Sequence, residues 1–370
     1  MSIPHWVIPS SLRSAIRKKL LAWYDSYKRD LPWRHRYGDP YAQWVAEVML
    51  QQTRVDTVLR YYDRFLSRFP DVATLAAARH EDVLKFWEGL GYYRRILHLH
   101  QACRDLHERA DEIPRCVDGL RQLPGVGGYT AAAIASIAFG ERAAAVDGNV
   151  ARVVSRLLGI RDDVTMSAGK ALVQGAADQL LPTARPGDFN QAWMDLGSGI
   201  CTPRAPNCPA CPLAVLCVAA KTGCTEQLPV RDAGRNGKVR AVAMLTAVFV
   251  SRGRVLVRRR PVGGLWSGLW ELPSCELGAD GHGRAFRRLA ENERVTIIGR
   301  PTKVGNVLLR LTHRALQFHV HTADVEPVGK PSRGDRRWVR PEGFSRLAVS
   351  TAHRRIWASW LASSDVWRKR

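Results

Sequence analysis

The spacing of apolar residues predicts a helical first half of the chain. Leu12, Ile16, Leu20 and Tyr24 recur at every fourth position, which places them on one face of a helix. Similar spacing recurs in three later segments: Trp44–Val55, Leu75–Gly89 and the alanine-rich Tyr129–Phe139. Short loops containing Pro or Gly separate these segments. We therefore predict an all-α bundle of short helices, with a helical domain at residues 10–227.

The pattern changes in the second half of the chain. Residues 228–240 combine Pro, Gly and charged side chains without an apolar period, which is typical of a linker. Strands are then predicted at Ala241–Val250, Val255–Arg258, Lys303–Leu311, Ala315–His321 and Arg337–Val339. Helices are predicted near Gly283–Ala290 and Ala352–Leu361. We therefore expect a small α+β domain at residues 241–365.

The charge balance of the chain indicates the kind of molecule that it binds. Among 370 residues, 56 Lys and Arg face 34 Asp and Glu, a net charge of +22, which indicates a polyanionic partner. With 46% hydrophobic residues, the chain is expected to fold around real cores. No apolar run approaches a membrane span, and no secretory signal is expected. A mitochondrial presequence stays open, because no acidic residue precedes Asp25.

Four of the eight cysteines lie within 17 residues, and they are Cys201, Cys208, Cys211 and Cys217. Such crowding suits a metal better than a disulfide framework. Structural zinc usually takes two Cys-x-x-Cys pairs, whereas one pair flanked by single cysteines favours a 4Fe–4S cluster. The spacing alone leaves both metals open. Cys224 lies close enough in sequence to compete as a ligand, and the other three cysteines are expected to be packing residues.

Two glycine-containing segments point to chemistry. In the run Leu-Pro-Gly-Val-Gly-Gly at 123–128, Gly125, Val126 and Gly127 would let the backbone N–H groups approach a phosphate at a helix start. An ordinary glycine-rich turn is the alternative. Downstream, Asp147 precedes Gly148 and Asn149, which is typical of a helix N-cap. A capping carboxylate can also be catalytic, because it is held at the helix mouth.

The hairpin, the Asp about 20 residues after it and the four-cysteine loop together resemble the endonuclease III superfamily of DNA glycosylases. Further motifs narrow the resemblance to the MutY-type adenine glycosylases: LPWR at 31–34, EVMLQQT at 47–53, GLGYY at 89–93 and NQAWMDLG at 190–197. The resemblance is close over 10–225 and looser over 240–365, where GLWSGLWELP at 264–273 is similar to a Nudix-like domain. It implies an all-α helix–hairpin–helix glycosylase core with an iron–sulfur cluster loop, followed by an α+β Nudix-like domain.

The resemblance implies that the chain hydrolyses the N-glycosidic bond of adenine opposite 8-oxoguanine or guanine, after flipping the base. Glu47 matches the acid that protonates adenine, and Asp147 matches the carboxylate that stabilises the sugar cation. Apolar neighbours should keep Glu47 protonated. Tyr129 stands where bifunctional relatives carry a lysine that attacks the sugar, so a monofunctional enzyme is expected. A bifunctional oxidised-pyrimidine glycosylase and a catalytically silent DNA-binding protein are the alternatives.

Other site residues are carried over from the family by their motif positions. Tyr129 and Asn149 should position Asp147 and the sugar or water. The implied adenine pocket contains Arg34, Leu50 and Gln191, although one extra residue separates Arg34 from Glu47. The implied DNA contacts are Gln51, Gln52, Tyr92, Gly125, Val126, Gly127 and Arg204. The implied contacts to 8-oxoguanine are Gln52, Thr312 and His313, with Leu311 replacing the family's Phe.

The resemblance also implies cofactors and partners. The four clustered cysteines would hold a 4Fe–4S cluster, and the hairpin could take a monovalent cation. The partner is double-stranded DNA with A:8-oxoguanine or A:G mismatches, and we expect a monomer without membrane association. The location would be cytoplasmic at a bacterial nucleoid, or nuclear or mitochondrial in a eukaryote. Nudix hydrolase activity is not expected, because Arg287–Glu293 lacks two of the required carboxylates.

Overall fold

The computed structural model describes residues 7–231, 239–261, 263–278, 281–329 and 334–363. These residues form two compact units. The first holds the described residues of Met1–Ala77 and His98–Arg235, and the second those of Ala78–Leu97 and Asn236–Arg370. Across the described ranges, no helix is both long and apolar enough to cross a membrane.

Helices make up the regular structure of the chain as far as residue 221. Their bounds are α1 Ser10–Tyr27, α2 Pro40–Leu50, α3 Val55–Leu59, α4 Tyr62–Arg68, α5 Val72–Ala77, α6 His80–Trp87, α7 Arg94–Arg109, α8 Val117–Leu120, α9 Gly128–Phe139, α10 Gly148–Leu158, α11 Ser167–Leu180, α12 Pro186–Gly199 and α13 Val218–Lys221. Single 3-10 turns lie at Pro32–Arg34, Cys208–Ala210 and Ala214–Leu216. The predicted all-α first half is thereby confirmed.

Two of the predicted helical segments are each divided into two helices. The segment Trp44–Val55 breaks between α2 and α3, where Gln52 adopts a left-handed backbone with φ of 57° and cannot continue an α-helix. The segment Leu75–Gly89 breaks between α5 and α6, where Arg79 is extended. Periodicity alone misses such breaks, because the apolar residues on either side keep their spacing.

The core of the first unit lies between helices that are far apart in sequence. Ile16, Leu20 and Tyr24 of α1 pack in one apolar cluster with residues of α10, α11 and α12. Helix α9 is buried along most of its length and contacts α2, α8 and α12. The N-terminus of α12 approaches α9 closely at Gly187, where a Cβ atom would lie 2.6 Å from the carbonyl oxygen of Ser136. The site residues on α2, α9 and α10 are therefore held by a packed frame.

The second unit is built on a mixed sheet with helices on both faces. Its elements after residue 239 are β1 Arg240–Ser251, β2 Arg254–Arg259, β3 Trp270–Glu271, β4 Ser274–Glu276, α14 Gly281–Glu293, β5 Val295–Arg310, β6 Arg314–Pro327, β7 Arg336–Val339, α15 Pro341–Phe344 and α16 Thr351–Ser363. The strand order is β3-β2-β1-β6-β5, with β4 paired to β1 and β7 to β2. Only β1 and β6 run parallel among the pairs of the described strands, with Leu245 opposite His319. The five predicted strands and two predicted helices are confirmed, whereas the short β3 and β4 were not predicted.

Alternate residues of β1 face the two layers of helix, as the period of a strand requires. Leu245 and Phe249 pack in one cluster with Phe286 and Leu289 of α14. Val248 belongs to the other cluster, with residues of α16. The chain therefore buries both faces of this sheet.

Residues 78–97 belong to the second unit although the sequence places them inside the helical domain at 10–227. Glu88 forms an ion pair with Arg354 of α16, and Glu81 forms one with Arg337 of β7. Lys85 donates hydrogen bonds to the carbonyl oxygens of Ser345 and Leu347. These contacts join residues that are more than 240 positions apart, which no local sequence pattern reports.

Candidate active site

Glu47 lies in the last turn of α2 and is only 3% exposed. Helix α2 begins at Pro40, with Asp39 accepting a hydrogen bond from the N–H of Ala42, so its start is well defined by sequence. One turn before Glu47, the Nε2 of Gln43 donates to Glu47 Oε1 at 2.8 Å. The other oxygen, Oε2, is buried without a hydrogen-bond partner in the described part of the chain.

Burial raises the pKa of Glu47 to about 7. The donor groups of Tyr129 and Gln43 lower this pKa, while the negative charge of Asp147 raises it. The Tyr129 hydroxyl nevertheless makes its own hydrogen bond to Sδ of Met194, at 3.7 Å. Because desolvation outweighs the donors, the carboxyl is protonated in a large share of molecules near neutral pH.

Asp147 caps the N-terminus of α10, as its sequence context predicts. One of its oxygens accepts hydrogen bonds from the backbone N–H groups of Asn149 at 2.9 Å and Val150 at 2.7 Å. The side chain of Asn149 donates to the other oxygen at 3.0 Å and accepts from Arg152 at 3.0 Å. Gly197 of α12 allows the close approach, because a Cβ there would lie 2.8 Å from Cβ of Asn149. The carboxylate is therefore fixed in orientation.

Tyr129 interacts electrostatically with both Glu47 and Asp147. It lies in the first turn of α9, and burial together with the charges of Glu47 and Asp147 raises its pKa well above the usual value. Glu47 and Asp147 also act on each other electrostatically, although they are 100 residues apart in sequence. The structure thus groups an acid whose ionisation is opposed by burial, a capped carboxylate and a phenol that stays protonated.

A cavity of about 310 Å³ lies beside this site. Arg34, Gln43 and Gln191 are among the residues that line it. Nε of Arg34 donates to Gln191 Oε1 at 2.9 Å, and its Nη1 forms an ion pair with Asp195 at 2.9 Å. Asp195 belongs to the NQAWMDLG motif at 190–197, but the sequence analysis assigns it no role. Its signal was its place four residues after Gln191, one helical turn away.

Leu50 does not line this cavity, and it is half-buried at the end of α2. Glu47 does not line it either. Gln43 connects the cavity to Glu47, because its side chain lines the cavity and donates a hydrogen bond to the Glu47 carboxyl. The sequence motif gave no hint of this residue, because a glutamine within an apolar helix carries no known pattern.

Two residues expected to enter DNA have unusual backbones. Gln52 has a φ of 57° and Tyr92 a φ of 46°, in the left-handed region that non-glycine residues rarely adopt. Both side chains are exposed, Tyr92 by 47%. Strained, exposed residues cluster at functional sites, because the surrounding structure must hold them there. Gln51 instead donates a hydrogen bond to Thr130 Oγ1 of α9 at 3.1 Å and is half-buried.

The predicted hairpin joins α8 to α9. Gly125 has a φ of 76°, and a Cβ there would lie 2.5 Å from Cβ of His98. Val126 is buried, whereas Gly127 is exposed at the N-cap of α9 with nothing near the position of a Cβ. The turn therefore anchors through Val126 and leaves the backbone of Gly127 accessible at a helix N-terminus, as anion binding requires.

The four clustered cysteines are all half-buried, and none of the chain's cysteines forms a disulfide. Cys201, Cys208 and Cys217 each act electrostatically on Cys211, so the four thiols lie near one another. Buried Arg156 donates to Sγ of Cys201 at 3.4 Å and to the carbonyl oxygens of Thr202 and Pro203. Sequence reasoning missed Arg156, because a buried arginine on a helix gives no local signal.

No three His, Cys, Asp or Glu side chains of the described segments are arranged to hold a single metal ion. A cubane cluster differs from a single ion, because each of its four irons takes one cysteine and the sulfurs are farther apart. Four free thiols on one short loop fit that donor set. Arg204 is exposed within the same loop, and no ion pair involving it is formed by the described residues.

In the second unit, the turn between β5 and β6 carries Thr312 and His313, and both are exposed. The Thr312 hydroxyl shares a hydrogen bond of 2.8 Å with the hydroxyl of Tyr92. Two residues that the sequence assigned to separate DNA contacts are therefore in direct contact. The turn is closed by the N–H of Leu311, which donates to the carbonyl of Arg314.

The helix considered for Nudix chemistry uses one of its carboxylates in the core. Glu293 is buried and forms ion pairs with Arg258 at 3.0 Å and Arg336 at 2.6 Å. Arg258 also pairs with buried Glu271, whose pKa is about 2 because the favourable effects of His353, Arg258 and Arg260 exceed the cost of burial. These acids stabilise the sheet, and the absence of hydrolase activity stays a prediction.

Comparison with known proteins agrees with both halves of this description. The profile of the HhH-GPD superfamily of base excision DNA repair proteins matches residues 45–175. The profile of the NUDIX domain matches residues 245–359. The helical and the α+β parts of the chain therefore each match a separate family.

Curated relatives extend the similarity across most of the chain. The adenine DNA glycosylase of Homo sapiens is 37% identical over 93% of this chain and 73% of its own length. The adenine DNA glycosylase of Schizosaccharomyces pombe is 32% identical over 84% of this chain and 82% of its own length. Among solved structures, a thermostable thymine-DNA glycosylase aligns with this chain at 30% identity and a TM-score of 0.51. The alignment spans 57% of this chain and 98% of the glycosylase chain.

Proposed function

Since the chain belongs to the family of adenine DNA glycosylases, and so is a DNA glycosylase of base excision repair, we propose that its substrate is adenine mispaired with 8-oxoguanine or guanine in double-stranded DNA. The observation that carries the proposal is the buried Glu47, whose pKa is raised to about 7 by burial, within electrostatic reach of the capped carboxylate of Asp147. This pairing suits cleavage of a bond between a base and a sugar, because one group assists departure of the base and the other stabilises the sugar cation.

Glu47 acts as the general acid. An adenine flipped out of the duplex would meet a carboxyl whose pKa is about 7, close to the working pH, which is where a general acid is most effective. Protonation of the adenine ring at N7 makes the base a better leaving group. Because the Glu47 carboxyl is only 3% exposed, its proton is better placed for the bound base than for bulk solvent.

Asp147 stabilises the positive charge that develops on the deoxyribose as adenine leaves. Its hydrogen bonds from Asn149 and from the N-terminus of α10 hold it ready before the reaction begins, so little reorganisation is needed. Tyr129 cannot form an imine with the sugar, and water completes the reaction. The product is therefore an abasic site in an uncut strand, as expected for a monofunctional glycosylase.

The residues proposed to bind adenine are Arg34, Gln191 and Leu50. Arg34 and Gln191 line the cavity, and Leu50 lies outside its lining at the end of α2. The Gln191 amide suits adenine because it offers both a donor and an acceptor to the base edge. Gln52 and Tyr92 fill the duplex beside the flipped nucleotide and offset the lost stacking. The backbone of Gly125, Val126 and Gly127 binds a phosphate without reading sequence, and the predicted monovalent cation at this hairpin has the same role of neutralising phosphate charge.

A 4Fe–4S cluster is held by Cys201, Cys208, Cys211 and Cys217. The cluster would supply a covalent anchor for this loop, whose Leu213 already packs in the apolar core of the first unit. Arg156 braces this loop through Cys201 Sγ and two carbonyl oxygens, and Arg204 projects from the same loop toward a DNA phosphate. The cluster takes no part in breaking the glycosidic bond.

The base opposite adenine is read by Thr312 and His313, together with Gln52. A hydroxyl and an imidazole can each hydrogen-bond to the edge of 8-oxoguanine, although Leu311 cannot stack on it as an aromatic residue would. We further propose that the enzyme acts as a monomer and is located with the DNA of its cell, at the nucleoid of a bacterium or in the nucleus or mitochondria of a eukaryote.

The proposal is tested by single-turnover release of adenine from duplexes that place 8-oxoguanine, guanine, cytosine or thymine opposite it. The full chain should release adenine rapidly opposite 8-oxoguanine or guanine and slowly opposite the other two. Thr312→Ala should narrow the difference between 8-oxoguanine and guanine by about tenfold, as expected for one lost hydrogen bond. Equal rates opposite all four bases would contradict the proposed substrate.

A second measurement separates the monofunctional reaction from the bifunctional alternative. Borohydride reduction during the reaction traps an enzyme–DNA imine only where an amine attacks the sugar. No trapped adduct is expected for this chain, and Tyr129→Lys provides the matched variant that introduces an amine at the same place. A covalent adduct with the unaltered chain would overturn the assignment of water as nucleophile.

A further inference from the structure

Gln43 makes a contact that the reaction described above does not use. It is 5% exposed on α2, and its Nε2 donates to Glu47 Oε1 at 2.8 Å. The same side chain lines the cavity that contains Arg34 and Gln191. Burying an amide is costly unless it is hydrogen-bonded, so the partner it finds here holds it in place.

This contact distinguishes the two oxygens of the acid. An amide N–H group can only donate, and so Oε1 must accept from Gln43 whether the carboxyl is ionised or protonated. Because a carbonyl oxygen is a better acceptor than a hydroxyl oxygen, this hydrogen bond favours the proton of the neutral carboxyl on Oε2. That oxygen is the one without a hydrogen-bond partner in the described ranges, and it remains available for another group.

The groups that face this carboxyl come from three helices. Gln43 lies on the same helix, α2, while Tyr129 comes from α9 and Asp147 caps α10. Asp147 opposes ionisation of Glu47, and Tyr129 and Gln43 favour it. Gln43 makes the hydrogen bond of 2.8 Å to Oε1, and the hydroxyl of Tyr129 is a second donor to this carboxyl, with a larger effect on its pKa.

We propose that Gln43 is the positioning residue of the general acid, which holds Glu47 Oε1 and so assigns the transferred proton to Oε2. This inference rests on the proposed function for the identity of the reaction. It adds that the amide, by donating, sets the direction of the proton and contributes to the acidity of its donor. Gln43 does not itself touch the reacting atoms.

The test replaces Gln43 with Met, which has a similar length and lacks the donor. In the free full-length protein, the titration of Glu47 is followed by NMR with carbon-13-labelled glutamate carboxyls. Loss of a donor that favours the ionised form should raise the pKa of Glu47 by on the order of one unit. In single-turnover adenine release, the fall in rate at high pH should move upward equally, and the plateau should drop about tenfold because the proton loses its fixed direction.

Asp39→Ala is the matched control, because it loosens the start of α2 without a hydrogen bond to Glu47. This variant should leave the Glu47 titration and the high-pH limb unchanged. An unchanged Glu47 titration in Gln43→Met, or an equal shift in Asp39→Ala, would overturn the inference. The NMR titration needs no substrate, so it tests the role of Gln43 independently of the reaction. If Gln43→Met shifts the pKa of Glu47 but the unaltered chain releases no adenine, the proposed function is overturned and the positioning role is not.

Discussion

Glu47 shows how a single residue can be costly for folding and useful for catalysis. Its carboxyl is buried, and the donors that act on it, Gln43 and Tyr129, do not offset the cost of burial. A charge in such surroundings is opposed by desolvation, so the protein must either protonate this acid or lose stability. The same physical term that raises its pKa to about 7 makes it a proton donor at neutral pH.

Glu47→Gln should therefore separate stability from activity. The pKa of this acid rises from 4.5 to about 7 on folding, so the folded state binds more protons between these values and the free energy of unfolding falls as pH rises through this window. The variant lacks this loss and should be more stable than the unaltered chain at pH 8 by up to about 3 kcal/mol. Urea unfolding at pH 4.5 and pH 8 measures this difference.

The two stabilities should differ by less than about 0.5 kcal/mol at the lower pH, where Glu47 is protonated in the folded chain and about half protonated in the unfolded chain. Adenine release by the variant should fall at least a hundredfold, as expected for loss of a general acid. A variant that is less stable at pH 8 by the same amount as at pH 4.5 would show that the Glu47 carboxyl is not neutralised by burial. One that releases adenine at the normal rate would remove Glu47 from the mechanism.

At the scale of elements, the function is concentrated where helices begin. Asp147 caps α10, Gly127 caps α9, and Tyr129 lies in the first turn of α9. Helix N-termini offer unpaired N–H groups and a positive dipole end, which suit both a carboxylate and a phosphate. The proposed catalytic carboxylate and the proposed phosphate-binding hairpin therefore use the same property of the backbone in two different places.

Gly125→Ala should damage the hairpin, since this position has a positive φ and an added Cβ would meet His98 at 2.5 Å. Because the hairpin is proposed to bind phosphate, which carries no sequence information, affinity should fall at least tenfold and by a similar factor for matched and mismatched duplexes. Gly128→Ala is the control, with open space at its Cβ position in the first turn of α9. Fluorescence anisotropy with both duplexes measures the affinities, and equal affinities for the two variants would contradict a constrained turn.

The four-cysteine loop provides a test that does not depend on catalysis. Protein purified without oxygen should contain about four irons and four acid-labile sulfides per chain. Cys208→Ser should lose most of both and unfold at a lower temperature, whereas the exposed Cys116→Ser should match the unaltered chain. Zinc in place of iron would support the alternative metal, and full iron content in Cys208→Ser would exclude that residue as a ligand.

At the scale of the whole molecule, charge governs how the protein finds DNA. A net charge of +22 attracts any duplex, and release of counterions makes this attraction depend on salt. Little of that charge is needed for chemistry at the buried site. Affinity and specificity are therefore expected to come from different residues.

Binding to undamaged duplex should weaken on the order of a thousandfold between 50 and 200 mM salt. Arg204→Gln should reduce the slope of log affinity against log salt by about one, because a single phosphate contact is lost. The control is Arg185→Gln, since this arginine is already paired with Asp25 and Asp188 and should leave the slope unchanged. Equal slopes for Arg204→Gln and the unaltered chain would remove Arg204 from the DNA contacts.

The membership of residues 78–97 in the second unit affects how the two halves can be studied. Glu81, Lys85 and Glu88 have ionic or hydrogen-bonding partners beyond residue 330. A chain shortened to residue 228 would lose those partners, so its defects would combine lost lesion recognition with an unpacked α6. Point substitutions such as Thr312→Ala test recognition of the opposing base without that complication.

Much of this protein follows from neighbours along the chain. Apolar spacing predicts the helices and strands, the Asp-Gly-Asn run predicts the cap on α10, and cysteine spacing predicts a shared metal. These features depend on contacts within about one helical turn or one short loop, which a local pattern records. The family resemblance likewise rests on such short motifs.

The tertiary structure decided what depends on distant residues. It brought Glu47 and Asp147 into one site, gave Glu47 a partner in Gln43, and grouped residues 78–97 with the second unit. A pKa depends on burial and on every charge nearby, and these are set by helices that are far apart in sequence. The chain's local patterns therefore supplied the candidate reacting groups, whereas packing decided which of them is buried and which way its pKa is shifted.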